Sequence, residues 1–220
     1  MGSDDLESMS VLADSVRRSL YRFVADRGRD VGRGEAADAV GVQRTLAAFH
    51  LDKLVEAGLL EVGFRRLNDR SGPGSGRPAK VYRRAAGERT VSLPPRDYRT
   101  LALVLAEVVD LLDGNEQAEA VARRTGERLA AASEQTGIAE LLAERGYEPY
   151  EEDGRIRLRN CPFQVPAQTH PLLVCSMNLA MCQGLLRGLG AGRTAVRLDP
   201  RPGECCVAFL PPEDGSSKNN

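Results

Sequence analysis

All five cysteines of this 220-residue chain, Cys161, Cys175, Cys182, Cys205 and Cys206, lie beyond residue 160. Random scatter would rarely leave so long a stretch empty. A reduced thiol is either a small buried hydrophobe or, as thiolate, a soft ligand for metals and iron–sulfur clusters. The spacing C-x13-C-x6-C-x22-CC matches no zinc-finger template, whereas an iron–sulfur cluster needs soft sulfur ligands more than it needs short-range spacing. Zinc stays open as the alternative metal. Cys161 precedes Pro162 in a loop leaving a strand, and a thiolate there points into a pocket. Cys182 follows Cys175 by seven positions on the same helix face, about 10 Å along the axis at 1.5 Å per residue, so the two do not share one small cluster. Adjacent strand residues face opposite ways, so one of Cys205 and Cys206 is expected in the core. The candidate ligands are therefore Cys161, Cys175, Cys205 and Cys206, with the fourth position open. His170, before Pro171, is a weaker nitrogen candidate.

Helical periodicity predicts helices over 96–113, 115–132 and 137–145. Alternation about Asp153-Gly154 predicts a hairpin of 146–151 and 155–159. A loop over 160–167, a helix over 168–188 and strands near 194–198 and 204–210 complete an α+β unit that presents the cysteines. Pro94 and Pro95 interrupt helix and strand hydrogen bonding alike, dividing the chain into 1–90 and 91–220. The amphipathic pair 96–132 either covers its own domain or packs against its copy in a homodimer.

Residues 11–27 place Val16, Leu20, Phe23 and Val24 on one helical face. A short helix over 34–40 stops at Gly41, and a third over 43–57 is expected to bury Leu46, Phe49 and Leu54, with Leu59 following. Gln43, Arg44, Thr45 and His50 fall on the opposite face, where the first turns of a recognition helix reach base edges; His50, mid-helix, reads either as a contact to phosphate or a base or as a neutral, partly buried histidine. Two strands, 59–67 and 79–84, flank a loop rich in Gly, Ser and Pro. This order is that of a winged helix-turn-helix, which predicts double-stranded DNA as partner. Between Phe64 and Arg89 there are eight basic and two acidic side chains, a local +6 in a chain of net charge −1. Such a patch binds phosphate despite the acidic whole. Arg65, Arg66, Arg77 and Lys80 are the candidate wing contacts, Arg77 suited to a minor groove.

The hydrophobic content of 42% supports two ordinary cores without disulfides. The apolar run 101–112 is far shorter than the roughly 20 residues a membrane span needs. The acidic N-terminus MGSDDLESMS has no apolar signal core, so a cytoplasmic location with reduced thiols is expected. No Ser/His/Asp or Cys/His arrangement has the context of catalysis, and no glycine loop opens a helix for phosphate. Enzyme activity is not expected.

The segments AAFHLDKLVEAGLLEVGFRRL and GPGSGRPAKVYRRA resemble the winged-helix domain of ArsR-like regulators, in particular the SufR type, bacterial repressors with an iron–sulfur cluster in a C-terminal domain. The resemblance covers most of the chain. It implies thiolate ligands at Cys161 in NCPF, Cys175 in LLVCSMN and Cys205 in GECC; Cys206 and Cys182 depart from the family pattern. The sequence thus predicts a transcriptional regulator, a repressor, whose operator binding follows a redox- or metal-sensing thiolate site. Two alternatives remain. A repressor with an organic effector would leave the cysteines as packing, and a thiol oxidoreductase would use Cys205-Cys206 as a redox pair.

Overall fold

Asp14 opens the first long helix by accepting the Arg17 amide at 2.9 Å, and Gly28, with φ of 61°, closes it in the left-handed conformation that a residue without Cβ adopts freely. The computed structural model describes residues 3–65, 78–92, 94–191 and 194–211. The chain forms two compact units, Met1–Arg96 and Asp97–Asn220, each mixing helices with a small sheet.

In the first unit, α1 (Ser3–Ser10) and a 3-10 turn lead into α2 (Ser15–Arg27), β1 (Val31–Gly32), α3 (Arg33–Val40), α4 (Arg44–Glu56), β2 (Leu60–Arg65) and β3 (Ala79–Arg84). The strands pair antiparallel in the order β1-β3-β2, with Tyr82 opposite both Val31 and Val62. Leu20 and Val24 of α2 meet Ala36 and Ala37 of α3, Ala47, Leu51 and Leu54 of α4, and Leu60 and Tyr82 in one core. The expected stripe of α4 is corrected. Leu46 is 41% and Phe49 56% exposed, whereas Ala47, His50, Leu51 and Leu54 are buried. These four follow the i, i+3, i+4, i+7 rule from Ala47, and the small Ala36 and Ala37 share that core with it.

The second unit contains α5 (Tyr98–Leu111), α6 (Asn115–Ala131), α7 (Ile138–Glu144), β4 (Pro149–Glu152), β5 (Arg155–Leu158), α8 (Gln164–Thr169), α9 (Pro171–Gly188), β6 (Ala195–Leu198) and β7 (Val207–Leu210). Its antiparallel sheet runs β4-β5-β7-β6. The β4–β5 hairpin turns at Asp153 and Gly154, with φ of 50° and 71°, as its two positive-φ residues require. The helix expected over 168–188 is divided: His170 leaves helical geometry with φ −125° and ψ 59°, because a proline disfavours α conformation in the residue before it. Strand β7 is buried on both faces, Val207, Ala208 and Phe209 each being 1% exposed.

Helices α6 and α9 touch backbone to backbone. A Cβ on Gly184 would collide with the Arg123 carbonyl, one on Gly126 with the Met181 carbonyl, and one on Gly188 with Glu127 and Ala130. Alongside, the Arg123 guanidinium donates to Gln183 Oε1 at 3.1 Å. Because the obstacles at Gly126 and Gly184 are main-chain atoms, no side chain can yield. Gly184→Ala should destabilise the protein by about 1–3 kcal/mol or more, roughly 2–4 °C per kcal/mol in thermal unfolding. Gly34→Ala in α3, where a Cβ meets only the Arg44 side chain at 3.6 Å, should leave the melting temperature unchanged or raise it.

Candidate functional site

Three segments far apart in sequence bring the thiols together. Beyond β5, the Asn160 amide donates to Tyr147 O at 3.1 Å and its side-chain Nδ2 to Gly146 O at 2.6 Å, fixing the turn that carries Cys161. Cys175 lies in the second turn of α9. The segment before β7 carries Cys205 and Cys206, held by Cys205 N–H donating to Leu158 O at 2.9 Å and by Asp199 N–H donating to Cys206 O at 2.7 Å. Cys161 and Cys206 both neighbour Cys205, and Cys175 neighbours Cys206 and is within electrostatic reach of Cys161, so the four thiols share one neighbourhood.

Cys205 is the centre of that neighbourhood. Asn178 Nδ2 donates to its sulfur at 3.3 Å, and its interaction with the Cys161 thiol, then with Cys206, lowers its pKa from the usual thiol value against the effect of burial. Cys161 and Cys206 are pushed up by the same interaction with Cys205 and then by burial. Cys182 is raised by burial first and by the Cys205 charge second. It lies at 0% exposure and donates to Asn178 Oδ1 at 3.8 Å, on the core side of the site. Both Cys205 and Cys206 precede β7, and as expected one of them is in the core: Cys205 is 3% exposed, whereas Cys206 is only partly buried.

Among the described residues no group of three or more His, Cys, Asp or Glu side chains is arranged to hold a metal ion as it stands. The donor set that Cys161, Cys175, Cys205 and Cys206 offer is all sulfur, since His170 is engaged through Nδ1 with Asp110 Oδ2 at 2.6 Å, and sulfur donors suit a soft metal or an iron–sulfur cluster.

An ionic clamp holds the cysteine segment on the sheet. Arg157, 2% exposed, donates to Asp199 Oδ2 at 2.8 Å, to Asp199 O at 3.0 Å and to Glu204 Oε2 at 3.3 Å. Glu204 also accepts from Tyr150 OH at 2.7 Å. The clamp thus grips the segment at both ends, one residue short of Cys205.

In the first unit, Gln43, Arg44 and Thr45 are exposed at the start of α4. Arg44 lies 3.9 Å from Asp38, an exposed and weak pair. His50 is corrected: it is buried at 8% exposure, edge-on to Phe49 at 5.3 Å between ring centroids, and its Nδ1 has no hydrogen-bond partner among the described residues. Lys80 pairs with Asp52 of α4, which also accepts from Tyr82 OH at 2.9 Å, so it ties sheet to helix. Arg65 is exposed and pairs with Asp30 at 3.1 Å. Arg66, Arg77 and the loop of the expected wing lie outside the described residues.

No family model, curated protein or solved structure matches the chain. Residues that sequence reasoning missed are Arg157, Asn178 and Tyr147. These three carry no local signal, since their partners are distant in sequence.

Removing Arg157 leaves Asp199 with only Arg155, at 3.5 Å, and Glu204 with the Tyr150 hydroxyl, both acids being partly exposed. Arg157→Met should cost about 1–3 kcal/mol in chemical or thermal unfolding. Full retention of stability would mean that the clamp does not hold the cysteine segment.

Proposed function

We propose that the chain is a DNA-binding transcriptional regulator, a homodimeric repressor, whose operator affinity is set by a cysteine-ligated iron–sulfur or metal site. The observation that carries this reading is the meeting of Cys161, Cys175, Cys205 and Cys206 in one neighbourhood. A packing role alone would not need thiols from three segments in one place, and a redox pair would not need Cys161 and Cys175. When bound, such a group supplies redox chemistry and sensitivity to oxidants. The protein's part would be to hold the donors Cys161, Cys175, Cys205 and Cys206, whose thiol protons would be released to solvent as a metal cation takes their place.

The winged helix-turn-helix reading is supported by the order of α2, α3, α4, β2 and β3 and by Gln43, Arg44 and Thr45 exposed at the start of α4. In this reading α4 enters the major groove and the β2–β3 hairpin is the wing, with Lys80 acting on α4 through Asp52 while Arg65 is placed for phosphate. The dimer is supported by α5, whose Leu101, Val104, Leu105, Val108 and Leu111 are 43–76% exposed, an apolar run that a second copy would cover. Loss or oxidation of the bound group shifts the dimer between binding-competent and incompetent states.

Selection from a random DNA pool by metal-reconstituted and by chelator-treated full-length protein tests the reading. One form should enrich a site of two related halves, and Arg44→Ala should lose about 1–3 kcal/mol of discrimination at one position of each half. Enrichment of no sequence by either form would overturn DNA recognition.

For the metal site, Cys161→Ser, Cys175→Ser and Cys205→Ser should each empty or strongly deplete it after anaerobic reconstitution, while Cys182→Ser should keep full loading. Iron, zinc and sulfide per chain are the readout. A depleted Cys182→Ser beside a fully loaded Cys161→Ser would reverse the assignment of ligands.

A further inference from the structure

We propose that Asn178 is a positioning residue for the metal-binding sulfur of Cys205, and that Tyr147 fixes the orientation in which it acts. The inference rests on the reading of the four thiols as a metal site.

Asn178 occupies the third turn of α9 at 2% exposure, where a carboxamide is costly unless every polar atom is paired. Here the pairing is complete at both ends. Nδ2 donates to Cys205 Sγ at 3.3 Å, and Oδ1 accepts from Tyr147 OH at 2.6 Å and from Cys182 Sγ at 3.8 Å. Tyr147 is itself 0% exposed. These contacts decide which way the amide points. With the amide turned round, Nδ2 would face the Cys182 thiol and Oδ1 the Cys205 sulfur, and a sulfur that ligates a metal does so as a thiolate, which can only accept. Only the observed orientation offers a donor to Cys205 in that role.

A donor to a ligating sulfur does two things. It orients the sulfur's lone pairs, and it withdraws charge from the metal–sulfur bond, which raises the energy of sulfur-to-metal charge transfer. Partners of this outer kind commonly change metal affinity by about 10–100-fold when removed. Cys182 is the remaining member of the network. Its thiol gives Oδ1 a second donor, and this accounts for a cysteine in the site that does not touch Cys161, Cys175 or Cys206.

Anaerobic titration of the full chain with cobalt(II) reads both effects, because thiolate coordination produces a near-ultraviolet charge-transfer band. Wild type should show the band. Asn178→Leu should bind cobalt about 10–100-fold more weakly and shift the band to lower energy, and Tyr147→Phe should shift it in the same direction by less. Melting curves and circular dichroism are recorded beside each titration, since a merely structural role lowers stability without moving the band. If Asn178→Leu fails to fold, Tyr147→Phe, which keeps the ring, carries the test. Wild-type affinity and band position in the folded variants overturn the role of Asn178 alone; no charge-transfer band in wild type overturns the metal reading and this inference with it.

Discussion

The second unit depends on the direct contact of two helix backbones. Gly126, Gly184 and Gly188 let α6 and α9 approach until main-chain atoms of one occupy the space where the other would carry a Cβ. That contact fixes α9 in rotation as well as position, because the glycines must face α6. Once α9 is so turned, Leu185 and Leu186 are committed to the core, and Asn178 and Cys182 to the side facing Tyr147 and Cys205. Cys175, nine positions before Gly184, is then presented to Cys206. The geometry of the thiols is therefore inherited from residues that have no side chain.

The second constraint is electrostatic. A buried guanidinium is tolerated only when its donors are occupied, and Arg157 meets that condition by drawing Asp199 and Glu204 onto β5. Cys205 is met by different means, a neutral donor, Asn178 Nδ2, at 3.3 Å. The guanidinium that anchors the segment is occupied by Asp199 and Glu204.

Most of the helices and both long hairpins were legible in the sequence, because their signals are local. The periodic runs of α2 and α5, the stop at Gly41 and the Asp153-Gly154 turn each report on a few neighbouring residues. What was illegible depended on distant partners. Strand β1 is two residues long and exists because Tyr82 pairs with Val31. His50 looked like a surface residue by type, yet it occupies the i+3 position of a buried set begun by an alanine. Pro171 divided a helix whose composition reads as continuous. For the site, the sequence singled out Cys161, Cys175, Cys205 and Cys206 but not which of them neighbour one another, since that requires β5, α9 and β7 to be assembled. Asn178 and Arg157 were invisible for the same reason.

The sheet order carries a consequence for how the site comes into being. β7 follows β5 by about fifty residues of chain yet lies beside it at the centre of β4-β5-β7-β6. During synthesis the β4–β5 hairpin and α9 emerge before the strand that joins them, so Cys161 and Cys175 are made well before the segment that brings their partners. Closing so long a loop is entropically slow and comes after local structure. Insertion of β7 is then the event that completes the core and seats Cys205 against Asn178. The strand that completes the sheet is thus the one that carries the last two cysteines to the other three.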